Sequence, residues 1–146
     1  MNKEQRQEAV FGAFDGLVSM MGVIFGALLV HSTAHEIGVI SVGAAIAECI
    51  SMSTGEVEKS DDPWRSRVHI ALAMALASAC GGLIPGLPFF IFSKSVALIV
   101  AAIGCLIVAS WIGWMKHKGV KGYIRAYLVL ILASGASLLA VALLPK

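Results

Sequence analysis

The chain has 146 residues, of which 58% are hydrophobic and only 14% charged, and its net charge is +2. That leaves too little polar sequence to coat a water-soluble globule, and so small a positive balance is not a nucleic-acid footprint. A soluble enzyme is also disfavoured: no nucleophile–base pair or phosphate-binding loop occurs, and GVIFGALL has no strand–helix setting of a dinucleotide site.

Crossing the hydrocarbon takes about 20 apolar residues per helix, and such stretches lie at about 9–31, 36–58, 64–85, 95–115 and 123–144. Lipid offers no partners to backbone amides, so each stretch is expected to be helical; the alternating segments of a membrane barrel are absent. The expected fold is an all-α polytopic membrane protein with five transmembrane helices in a single domain, residues 1–146. The polar start MNKEQRQEAV has no short apolar region with a cleavage site, so the first helix is expected to be retained.

In the first helix Asp15 is the only charge between Ala9 and Val30. A carboxylate at the centre of a membrane helix costs about 2.5–3.5 kcal/mol on insertion scales, which points to a function for it. Gly12 with Gly16, and Gly22 with Gly26, form small-xxx-small pairs that let another backbone approach, either within one subunit or across a dimer seam. His31, His35 and Glu36 follow at the mouth, where histidines are more often solvated than ligating.

In the second helix Glu48 is the only charge between Ile37 and Gly55. Glu48, Met52 and Glu56 are spaced i, i+4, i+8 and so share one stripe. Because the first two helices run antiparallel, Asp15 and Met52 are expected at one depth, roughly 9 Å from the polar end at 1.5 Å per residue. Carboxylate oxygens supply charge for a divalent cation and a thioether suits later transition metals, so the set favours Fe²⁺ or Mn²⁺ over Ca²⁺. Each residue also has a plainer reading. Asp15 could be a first-turn acid reaching the surface, Met52 a lipid-facing filler, and Glu56 an interfacial group. Glu48 resists this, being about ten residues from either helix end, too deep for a short side chain to reach water.

Asp61, Asp62 and Pro63 read as the cap and first-turn proline of the third helix, and Pro85 and Pro88 as breaks at its far end. Cys49, Cys80 and Cys105 show no CxxC spacing and read as small buried hydrophobes. His69 and His117 near the polar boundary read as solvated. If five helices alternate, Lys3, Arg6, Lys59, Arg65, Arg67, Lys116, Lys118, Lys121 and Arg125 fall on one side, against Lys94 and Lys146. The positive side faces the cytosol, so the N-terminus is expected inside and the C-terminus outside. Trp64, Trp111, Trp114, Tyr123 and Tyr127 gather near that same boundary as an aromatic belt.

Phe14-Asp15-Gly16-Leu17-Val18-Ser19 resembles the DGLVS signature in the first helix of the vacuolar iron transporter family. Ser51-Met52-Ser53-Thr54-Gly55-Glu56 resembles its second-helix signature, and GGLIPGLPF, residues 81–89, the pattern closing its third helix. The likeness covers nearly the whole chain. It implies a homodimeric carrier that moves Fe²⁺, and often Mn²⁺, out of the cytosol in exchange for protons, with its pathway at the subunit seam. Asp15, Met52 and Glu56 match motif positions and are carried over as metal-pathway residues. Glu48 stands where the family usually has a small residue, adding an acid to the candidate set Asp15, Glu48, Met52 and Glu56. Val57 replaces an aromatic. The long acidic cytosolic domain of many members has no room between Lys59 and Pro63, leaving Glu56, Glu58, Asp61 and Asp62 as the local acids.

The expected partners are therefore Fe²⁺ or Mn²⁺ as cargo, protons and the lipid bilayer, with no resident cofactor and no nucleic acid. Protons and metal would compete for the same oxygens, which couples their movements. Two subunits packed through the glycine face of the first helix would present Asp15, Glu48 and Met52 twice, enough for six ligands. Compact loops and the lack of a targeting segment favour a prokaryotic plasma membrane. The alternative is a non-transporting membrane protein whose acids hold helices or bind a partner, or else a channel-like conductor without proton coupling.

Overall fold

The computed structural model describes residues 3–59, 64–116 and 120–143; the expectations on Asp61, Asp62, Pro63, His117, Lys118 and Lys146 lie outside them, as do the side chains of Trp64, Arg65 and Lys116. Six helices follow in order: α1 Lys3–Leu29, α2 Ala34–Glu58, α3 Trp64–Gly86, the single turn α4 Pro88–Ile91, α5 Lys94–Lys116 and α6 Val120–Ala142. No strand occurs among the described residues. Five of the helical segments are long and apolar enough to cross a membrane, which gives the chain the character of a membrane protein. Their outward faces agree: Ile99, Ile103, Ile107, Ile131, Leu132 and Leu139 are all exposed.

The first helix starts six residues earlier than its apolar run, at Lys3 rather than about residue 9. The polar residues Lys3 to Glu8 thus belong to the same helix as the apolar run that follows them. Asp15 sits near the middle of α1, twelve residues or about 18 Å from its start.

α3 occupies the centre, packed against α1, α2, α4 and α5, and its interface with α1 is the most extensive in the molecule. Small residues explain that closeness. A methyl group added at Gly12 would lie 2.5 Å from the Met74 carbonyl oxygen, and methyls at Gly16 and Gly81 would overlap the carbonyls of Ser78 and Ala13. The Gly12/Gly16 face is thus filled by α3 of the same chain, the within-subunit alternative of the two that the glycine pairs left open. Either backbone satisfies a small-xxx-small pair, and the nearer one took it. The second pair behaves differently, since Gly22 approaches only the Ser137 hydroxyl and Gly26 meets nothing within 4 Å.

Both ends of the bundle are tied by polar contacts. At one end α1 closes with Ser32 N–H donating to the Ala27 carbonyl and His31 N–H to the Leu28 carbonyl, His31 taking the left-handed conformation at φ 60°. Thr33 then caps α2, its hydroxyl accepting from Glu36 N–H while Glu36 Oε2 accepts from Thr33 N–H at 2.7 Å. Lys94 donates to the Ser32 carbonyl at 2.8 Å, joining the start of α5 to this corner. Pro85 does not stop α3. It sits in the last turn, where its missing N–H leaves a single carbonyl unbonded, and Leu87 N–H restores the ladder to Leu83 before Pro88 opens α4.

Candidate ion site between the first three helices

Glu48 lies near the middle of α2, facing the seam where α1 and α3 meet. Its carboxyl group lies near Asp15 and Ser19 of α1 and Ser78 of α3. Yet Glu48 Oε1 is enclosed without a hydrogen-bond partner, and so is the Ser78 hydroxyl beside it. An unbonded polar atom in such a place costs about 1–3 kcal/mol, so a carboxylate oxygen and a hydroxyl left open together are groups suited to bonding a cation or water. Ser78 is fully buried while Asp15 is half-buried and Ser19 exposed, so the site is closed toward α3 and open on the outer α1/α2 face.

Asp15 meets Glu48. The short connection between the helices sets this register, since Asp15 precedes the end of α1 at Leu29 by fourteen residues and Glu48 follows the start of α2 at Ala34 by fourteen. Met52 is half-buried one turn nearer the charged end of α2. Beyond Glu48 the seam is closely packed: a methyl at Gly82 would lie 3.0 Å from the Ala45 side chain and 3.2 Å from that of Met20. Ser41 lies beyond this layer, fully buried and also without a partner.

Glu56 has a different role from Glu48 although they share a stripe. It is buried, its Oε1 accepting from Arg67 of α3 at 2.9 Å and its Oε2 from Lys59 at 3.0 Å. Lys59 reaches Glu8 of α1 as well, at 3.5 Å, so one cluster ties the charged ends of three helices. The bond to Glu56 holds the Lys59 ammonium above the ordinary lysine pKa. Glu56 is eight residues beyond Glu48, about 12 Å along the axis, and its oxygens are committed to cations already present.

At the opposite mouth Glu36 is bonded into the helix cap and His35 packs edge-on against Phe90, with ring centroids 5.5 Å apart. His31 is the turn residue that ends α1, so these three do not converge. Cys49, Cys80 and Cys105 are free thiols. Among the described residues no group of three or more His, Cys, Asp or Glu side chains converges within one chain. Reading the sequence missed Ser19, Ser78 and the Arg67 partner of Glu56. Ser19 stood inside the DGLVS segment, whereas Ser78 in ALASAC carried no signal beyond being a hydroxyl in an apolar run.

No protein-family profile, curated protein or solved structure matches this chain.

Proposed function

We propose that this chain is a divalent transition-metal transporter akin to the vacuolar iron transporter family, moving Fe²⁺, and Mn²⁺ as a second cargo, out of the cytosol in exchange for protons. The observation that carries the reading is the unpartnered Glu48 oxygen held beside Asp15 in the middle of two apolar helices. Two carboxylates brought together away from water carry two negative charges that must be neutralised there. One divalent cation does so, and so do two protons, hence loading one releases the other. Ser19 and Ser78 add neutral oxygen ligands, and Met52, one turn along, supplies the thioether that favours a transition metal over Ca²⁺.

A single chain contributes too few charged ligands for a closed site, so the working unit is a homodimer. Its seam is the α1/α2 face, where Asp15, Met52 and Glu48 are half-buried and Ser19 exposed, and not the glycine face that α3 fills. The positively charged end, with Lys3, Arg6, Lys59 and Arg67, faces the cytosol of a prokaryotic cell. Glu56 then acts as the clamp at the cytosolic end and not as a ligand, which revises its place in the motif.

The second reading, a non-transporting membrane protein, draws on the same ion-pair cluster, since Glu56 binds helices together without any cargo. Fe²⁺ entry into proteoliposomes under an imposed pH gradient separates the two. The transporter reading expects uptake that collapses with the gradient and is lost in Asp15→Asn/Glu48→Gln. Uptake unchanged in that double variant, or none in the folded wild-type protein, would overturn it.

A further inference from the structure

A cleft of about 510 Å³ opens between the first half of α1 and the end of α5, lined by Lys3, Arg6, Gln7, Val10, Phe11, Phe14 and Met115. The α1 residues are spaced i, i+3, i+4, i+7, i+8, i+11 and so form one continuous stripe. Its polarity changes along the helix and not around it: Lys3, Arg6 and Gln7 come first, then only apolar side chains. Eleven residues cover about 16 Å, roughly half the thickness of the hydrocarbon. The change from cationic to apolar thus falls where a phospholipid passes from headgroup to acyl chain. Neither Lys3 nor Arg6 takes part in an ion pair among the described residues; the nearby Glu8 is turned to Lys59. Trp111 and Trp114 of α5 are exposed at the same end, as interfacial indoles are.

We propose that this cleft binds one anionic phospholipid, its phosphate held by Lys3 and Arg6 and its upper acyl chain lying along Val10, Phe11, Phe14 and Met115. A second groove of about 530 Å³ between α2 and α3 supplies the contrast, because the charged group on its lining is Glu58. That groove repels the same headgroup.

The test is native mass spectrometry of the detergent-purified full chain titrated with phosphatidylglycerol or phosphatidylcholine. One phosphatidylglycerol per chain is expected to be retained in preference to phosphatidylcholine. Lys3→Gln/Arg6→Gln is expected to weaken retention about 30-fold, the effect of two interfacial cations, down to the level of phosphatidylcholine. Lys121→Gln/Arg125→Gln, which removes two exposed cations outside the cleft, is expected to leave it unchanged. Glycerol 1-phosphate at the same concentration is expected not to displace the lipid. Equal retention of both lipids, an equal loss in both variants, or ready displacement by glycerol 1-phosphate would each overturn the proposal, the last by showing a site for the phosphate alone.

Discussion

Replacing Gly16 by alanine tests the packing that positions the ion site. The added methyl would overlap the Ser78 carbonyl oxygen and lie 3.1 Å from the Gly82 nitrogen, both of them backbone atoms that no rotamer change can move. α1 and α3 must then separate along their length, and overpacking of this kind costs about 1–3 kcal/mol, with the upper end expected where backbone faces backbone. Gly26→Ala is the internal control, since its methyl enters open space and replaces a poor helix former, a gain of up to about 1 kcal/mol. The two variants should therefore differ by about 3–4 kcal/mol, more than a hundredfold in the folding equilibrium. SDS titration of the protein in mixed micelles, followed by far-ultraviolet circular dichroism, reads that difference, and light scattering reads the oligomeric state. Coincident unfolding curves for the two variants would refute the reasoning. So would a Gly16→Ala protein that unfolds like wild type but has a smaller oligomeric state than wild type, because the glycine face would then belong to a subunit seam.

Two further perturbations probe the polar ties. Arg67→Ala leaves the Glu56 carboxylate buried with one oxygen unpaired and is expected to cost about 3–5 kcal/mol, whereas Arg67→Ala with Glu56→Gln recovers much of the loss; equal SDS midpoints for Arg67→Ala and wild type would remove the clamp. Glu36→Ala removes one half of the α2 capping box and is expected to cost about 1 kcal/mol while leaving metal uptake intact, and a loss of uptake at normal stability would instead give Glu36 a place on the ion path.

Some of this was readable from residue type and depth alone. Asp15 and Glu48 stood out because an acid in an apolar run is costly wherever its helix lies, and that cost does not depend on knowing the neighbours. What α1 packs against was not readable, since Gly12 and Gly16 specify close approach but not the approaching chain. The partners of Glu56 were hidden for a related reason. Helical spacing puts it on the Glu48 stripe, but its charge is paired with Arg67, which stands on α3 and had counted in the sequence only toward orientation. Where α1 begins was not readable either, because hydropathy marks the edge of the apolar run and not the end of the helix. Ser78 became visible only when α3 was laid between α1 and α2, because a serine in an apolar helix gains meaning from what it faces.

The central claim is that the Glu48 and Asp15 carboxyl groups hold the cargo. Anomalous diffraction from crystals grown with Mn²⁺ tests it most directly. The account expects a peak within coordination distance, about 2–2.5 Å, of carboxylate oxygens from both residues, and its disappearance in Glu48→Gln. Mn²⁺ found only at surface acids such as Glu4 or Glu58, or a peak at the seam that persists in Glu48→Gln, would contradict it.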